Sequence, residues 1–150
     1  MISTTEMIPY VGYGGFKLYS DLYTILNQFE GKKISMTYLG FKNEIIRIDI
    51  TDSLMLFFST ENNKLFKISV NVGTECLLNG VSVIGLSESE LYELYPDLYY
   101  DDMEEVFETK QGVFFETDPL THRVTCATVY IKEMEYEKEM EYESFYNFEW

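Results

Sequence analysis

The sequence predicts an α+β fold: two tandem helix-plus-antiparallel-meander units forming one sheet, with both helices on one face. Three observations carry this. A pattern of strand, polar turn, basic residue and strand occurs in residues 56–70 and again in residues 113–129. Residues 46–50 (Ile-Arg-Ile-Asp-Ile) alternate strictly between apolar and polar, the signature of a half-buried strand. A short, capped helical pattern stands ahead of each meander, and an amphipathic sheet needs such a cover.

Taken in order, Gly12-Tyr13-Gly14-Gly15 reads as a flexible turn, because no Lys-Ser/Thr follows to make a phosphate loop. Ser20 is placed to cap the first helix, with Leu22, Ile25, Leu26 and Phe29 on one face and Gly31 as the stop. Residues 33–38 add a strand to the first unit alone. Residues 46–50 and 56–60 then lead through a polar turn at 61–63 into the strand 64–70.

The second unit opens with Ser87, which forms a capping-box pattern with Glu90. Leu91, Leu94 and Tyr95 give that helix its apolar face, and Pro96 bars its continuation. A strand at 106–109, a turn at Lys110-Gln111-Gly112 and a strand at 113–117 follow. A turn at 118–122, two residues longer than its counterpart, leads into the strand 123–129.

The internal repeat therefore spans 12–72 and 80–131 within one compact domain, and 132–150 is an acidic, aromatic C-terminal extension. In that extension Glu-Met-Glu-Tyr-Glu occurs twice, at 133–137 and 139–143. Alternation favours a strand with Met and Tyr on one face and glutamates on the other. The aromatic end, 145–150, is expected to pack onto the sheet.

Charge is the most informative part of the composition. The 150 residues carry 26 acidic and 11 basic side chains, for a net charge of −15. Residues 1–85 hold 8 acids and 7 bases (−1), whereas residues 86–150 hold 18 acids and 4 bases (−14). Such an excess repels nucleic acid phosphates and anionic membranes, so neither is expected as a direct partner. No apolar run approaches the roughly 20 residues of a membrane span, and no basic-then-apolar leader opens the chain. The expected setting is the cytoplasm, with Cys76 and Cys126 buried and reduced, although a bridge between them is not excluded by sequence.

No catalytic machinery, cofactor or metal is expected. His122 falls in a turn without a nucleophile placed beside it by sequence, and a metal would need nitrogen or sulfur ligands the chain lacks. Residues 97–102 offer carboxylates without the glycine or ligand spacing of an EF-hand loop. What remains is a surface for a basic partner. Tyrosine gives a large contact area at low rotamer cost, and carboxylates meet Lys and Arg with charge-assisted hydrogen bonds. The expected contact residues are Tyr95, Asp97, Tyr99, Tyr100, Asp101, Asp102, Glu104, Glu105, Glu108, Glu135 and Glu137.

In size, charge and the acidic-aromatic run from Tyr92 to Glu108, the sequence resembles the immunity proteins of bacterial contact-dependent growth inhibition and other polymorphic toxin systems. The lead Gly80-Val81-Ser82-Val83-Ile84-Gly85-Leu86-Ser87, followed by Leu91, is similar to that of helix-plus-sheet repeats related to β-lactamase inhibitor protein. The first unit keeps Gly15 and Ser20 of that lead. Both resemblances imply inhibition by binding, here of a cognate and basic protein toxin such as a nuclease. The alternative is a DNA-mimicking inhibitor of a DNA-binding enzyme.

Overall fold

The structure is a computed structural model and describes residues 4–137 and Trp150. Strands β1 (Met7–Ile8), β2 (Gly12–Tyr13) and β3 (Phe16–Lys17) form a small sheet that leads into helix α1 (Leu22–Asn27). Strands β4 (Ser35–Leu39), β5 (Ile45–Thr51), β6 (Leu54–Ser59) and β7 (Leu65–Asn71) follow as a meander. A hairpin of β8 (Leu77–Leu78) and β9 (Val81–Ser82) precedes α2 (Glu88–Leu94). Then come β10 (Tyr99–Asp101), β11 (Val106–Glu108), β12 (Val113–Thr117), β13 (Val124–Tyr130) and α3 (Glu133–Glu137).

Eight of these strands make one antiparallel sheet in the order β10-β11-β12-β13-β7-β6-β5-β4. The two meanders thus meet through their last strands, β13 and β7, with Thr128 opposite Ser69 and Val129 opposite Ile68. The class is α+β and the sheet antiparallel.

Strand register builds the core. Phe107, Phe115, Ala127, Val70 and Leu54 are successive cross-strand partners in one row. Val113, Val129, Ile68, Leu56 and Ile48 form the neighbouring row two residues along, hence on the same face. These side chains are buried in one cluster with Leu22, Ile25 and Phe29 from α1 and its exit, and with Leu91, Tyr95 and Leu98 from α2 and its exit. Each such apolar side chain contributes roughly 1.5–3 kcal/mol by leaving water. The alternate row, on the other face, runs Glu108, Phe114, Thr128, Ser69 and Met55. Across the β7–β13 seam, Ser69 Oγ and Thr128 Oγ1 share a buried hydrogen bond of 2.7 Å.

The hairpins β6–β7 and β12–β13 close with matching backbone bonds. Ser59 N donates to Lys64 O and Asn63 N to Ser59 O; Asp118 N donates to Arg123 O and His122 N to Asp118 O. The two turns therefore have the same length, not lengths differing by two. The second strand of each pair carries the same register shift, and Asn63 and His122 both sit at left-handed φ, 58° and 57°.

Local capping explains the helices and corrects one expectation. Asp21, not Ser20, caps α1, with its carboxylate accepting from Tyr23 N and Thr24 N. The Ser20 carbonyl accepts from Leu65 N, which spends that residue on pairing with β7. The helix ends at Asn27, and tight turns through Leu26 and Phe29 carry the chain on before Gly31. Ser87 and Glu90 form the capping box expected for α2, which ends one residue before Tyr95. Gly12–Gly15 belongs to the β2–β3 hairpin, whose turn uses the left-handed Gly14 and Gly15.

The first copy of the Glu-Met-Glu-Tyr-Glu string is helix α3, not strand. Tyr10 Oη donates to Glu135 and Tyr19 Oη to Glu133 at 2.6 Å, which ties two glutamates back to the N-terminal segment. A strand would instead have lined like charges along an edge, an arrangement that opposes pairing. The second copy and most of the aromatic end lie outside the described residues. Trp150 meets Phe66 and Tyr19 edge-on, and its carbonyl accepts from Asn62 Nδ2 and Lys64 Nζ.

Candidate partner-binding groove

The C-terminal meander and α2 enclose a groove of about 750 Å³. Helix α2 supplies Glu88, Ser89 and Tyr92; β10 supplies Tyr100; the β10–β11 turn supplies Glu104 and Glu105. Phe107 from β11, and Glu116, Thr117, Pro119 and His122 from β12 and its exit, complete the wall. Its floor is aromatic. Phe107 is buried, Tyr100 tilts against it at 4.9 Å between ring centroids, and Tyr92 meets it edge-on at 6.1 Å. Tyr92 and Tyr100 are 42% and 49% exposed, so both rings remain available to a partner.

Among the described residues the rim carries four carboxylates and no Lys or Arg. Glu88 Oε2 lies 2.9 Å from His122 Nδ1, which draws the turn after β12 onto the first turn of α2. Backbone pairing fixes the same junction, since Glu88 N donates to His122 O and Val124 N to Leu86 O. Hydrogen bonds from the Ser87 backbone and side chain hold the neighbouring Glu90 carboxyl below its ordinary range. At the far end of the groove, Asp101 Oδ1 accepts from Met103 N and Glu104 N. Asp101 thereby shapes the turn that presents Asp102, Glu104 and Glu105, with Glu105 at a left-handed φ of 57°.

The expected contact residues divide. Tyr100, Glu104 and Glu105 line the groove, and Asp97 and Asp102 are exposed, whereas Tyr99, opposite Glu108, is exposed on the other face of the sheet. Asp101 is half-buried and serves the turn. Two expectations fail on burial. Tyr95 is buried beneath α2 against the Phe115 ring, because Pro96 ends the helix and turns the tyrosine inward with Leu91. Glu108 is 2% exposed on the opposite sheet face, because its parity with Phe114 and Thr128 points it away from the helices. Glu135 is half-buried and bonded to Tyr10 Oη. Glu137 ends α3, and its side chain lies outside the described residues.

Tyr130 lies near Glu108, Glu135, Tyr10 and Tyr99, and burial followed by these charges raises its phenol well above the ordinary value. This set packs the back of the sheet and is separate from the groove. Glu88, Ser89, Phe107, Glu116, Thr117, Pro119 and His122 were not expected as site residues; they come from three elements brought together by strand pairing. The one local signal was the capping box, which fixes where α2 begins. Cys76 and Cys126 are both buried free thiols, with burial pushing each pKa up to about 12. Among the described residues no group of His, Cys, Asp and Glu could hold a metal ion.

Chemically, the groove suits a cation. An aromatic floor attracts a guanidinium or ammonium face-on, and surrounding carboxylates add charge-assisted hydrogen bonds. In comparisons with family models, curated proteins and solved structures, nothing matches this chain.

Proposed function

We propose that this chain is a cytoplasmic immunity protein that binds a cognate bacterial toxin domain, a nuclease with a basic surface, and neutralises it by occlusion. One observation carries the reading: a concave, tyrosine-floored groove rimmed by Glu88, Glu104, Glu105 and Glu116, in the half of the chain that holds nearly all the net charge. Long-range attraction from that half raises the association rate, as a fast-acting inhibitor requires. Arginine and lysine side chains of the toxin enter the groove, and binding rather than catalysis is the activity.

The scaffold, on this reading, is an internal duplication in which each unit is a hairpin, a helix and a four-stranded meander. Support comes from the paired hydrogen bonds: Leu22 N to Asn63 O and Leu65 N to Ser20 O in the first unit, Glu88 N to His122 O and Val124 N to Leu86 O in the second. The units have diverged in use, since Leu22 and Asn63 stand where the second unit has Glu88 and His122.

The test is capture of partners from the source cell, followed by co-expression of the captured domain with this chain in a growth assay. Wild type restores growth, and a variant carrying Tyr100→Ala, Glu104→Lys and Glu105→Lys restores it far less. Equal protection by that variant refutes the groove as the binding surface. Capture of several DNA-binding proteins, all released by salt and by duplex DNA, favours the DNA-mimic alternative.

A further inference from the structure

The two edges of the eight-stranded sheet are unlike each other and complementary. Among the described residues, strand β4 is one edge, with a regular five-pair register to β5 and no bulge, proline or charge within Ser35–Leu39. Natural edge strands are ordinarily protected by such devices, because a row of unpaired N–H and C=O groups is a template for another strand. Met36 and Tyr38, partners of Ile48 and Ile46, extend the core face of the sheet, yet they are 51% and 55% exposed. Phe41, just beyond, is fully open to solvent. The exposed Lys33 and Lys42 flank this strand. The other edge, β10, is flanked by Asp97 and Asp102, with Tyr99, Tyr100 and Met103 exposed beside it.

We infer that the β4 edge is a strand-docking surface whose occupant is the β10 edge of a second copy of this chain. Strand directions permit it. All neighbours in the sheet are antiparallel, so across eight strands β4 runs opposite to β10. A copy carried along the sheet without being turned over lays its β10 antiparallel to β4 and keeps the same face toward the helices. With Tyr100 opposite Tyr38, which keeps both rings on that face, Lys33 meets the acidic turn of Asp102, Glu104 and Glu105, and Lys42 meets Asp97. Pairing β4 with the β4 of another copy would instead set Lys33 against Lys42, which charge opposes. The contact is head-to-tail, so it does not close at a dimer, and association grows with concentration. Main-chain hydrogen bonds supply the affinity and the flanking charges the choice of partner.

The inference is independent of the toxin and is tested without it, by sedimentation velocity of the whole chain over a concentration series at low and high salt. Wild type shows a weight-average sedimentation coefficient that rises with concentration and falls with salt. Lys33→Glu with Lys42→Glu, which makes both edges acidic, lowers the association constant about tenfold or more. Asp97→Lys with Asp102→Lys, which makes both edges basic, does the same. Mixing these two variants one to one restores association, because each then meets an edge of opposite charge, and this also shows that both are folded. A wild type that stays monomeric throughout overturns the inference. So do variants that associate like wild type, or a mixture that remains monomeric.

Discussion

Replacing Thr128 by Val probes the seam that joins the two meanders. Thr128 is 1% exposed and its hydroxyl bonds Ser69 Oγ at 2.7 Å, so the substitution keeps the shape and deletes that bond together with the weaker contact to Cys126 Sγ. A buried hydroxyl deprived of its partner costs about 1–3 kcal/mol. Here the lower part of that range applies, because Cys126 Sγ, which contacts Thr128 Oγ1 at 3.6 Å, lies close enough to give Ser69 a weak substitute. Thr128→Val and Ser69→Ala should therefore each destabilise by ~1–2 kcal/mol. The double variant removes both polar groups together and should cost clearly less than the sum, with a coupling of about 1 kcal/mol. Urea unfolding followed by tyrosine and tryptophan fluorescence reads this directly: with a slope near ~2 kcal/mol/M, each single variant lowers the midpoint by roughly 0.5–1 M at unchanged slope. Additive losses in the double variant would refute the argument that the two hydroxyls satisfy one another across the seam.

Three further outcomes are expected. Ser87→Ala removes the side-chain half of the α2 capping box and should cost about 1 kcal/mol, a fall of roughly 2–4 °C in thermal midpoint. Backbone hydrogen bonds hold the Glu90 and Asp118 carboxyls below their ordinary values in the folded chain. Their contribution is therefore complete above the unfolded values, near pH 4, and is lost as pH falls through the lower folded ones. Urea midpoints from pH 6 to pH 2 should show a smaller acid loss in Glu90→Gln with Asp118→Asn than in wild type. With both thiol pKa values pushed to about 12, a thiol reagent at pH 8 should label Cys76 and Cys126 in the folded protein at least ~100-fold more slowly than in urea; comparable rates would contradict their burial.

The strands with strong alternation were legible because a two-residue period has one meaning on a half-buried sheet. Ile46–Ile50 fell within β5, and the long apolar strings became β6, β7, β12 and β13. The Ser87–Glu90 cap was legible because its bonds are local. The hairpins β1–β2, β2–β3 and β8–β9 were not, since strands of two residues carry no period and depend on left-handed turns such as Asn79–Gly80. Glu108 and Tyr95 show the limit for the site. Both sit in an acidic-aromatic run that reads as surface, but the parity of one and the helix-ending proline beside the other send them inward. The groove itself depends on β10, β11 and β12 lying beside α2, and no spacing along the chain encodes that.

The join between β7 and β13 also orders the folding of the chain. Within each meander every strand pairs with its immediate neighbour in sequence, so each closure spans a short loop and costs little chain entropy. The pairing of Asn71 with Cys126 and of Lys67 with Tyr130 closes a far longer loop. Contacts of that separation form late. Each meander gathers first, and the seam sets the rate of the last step. Substitutions at Ser69 or Thr128 should thus speed unfolding more than they slow folding.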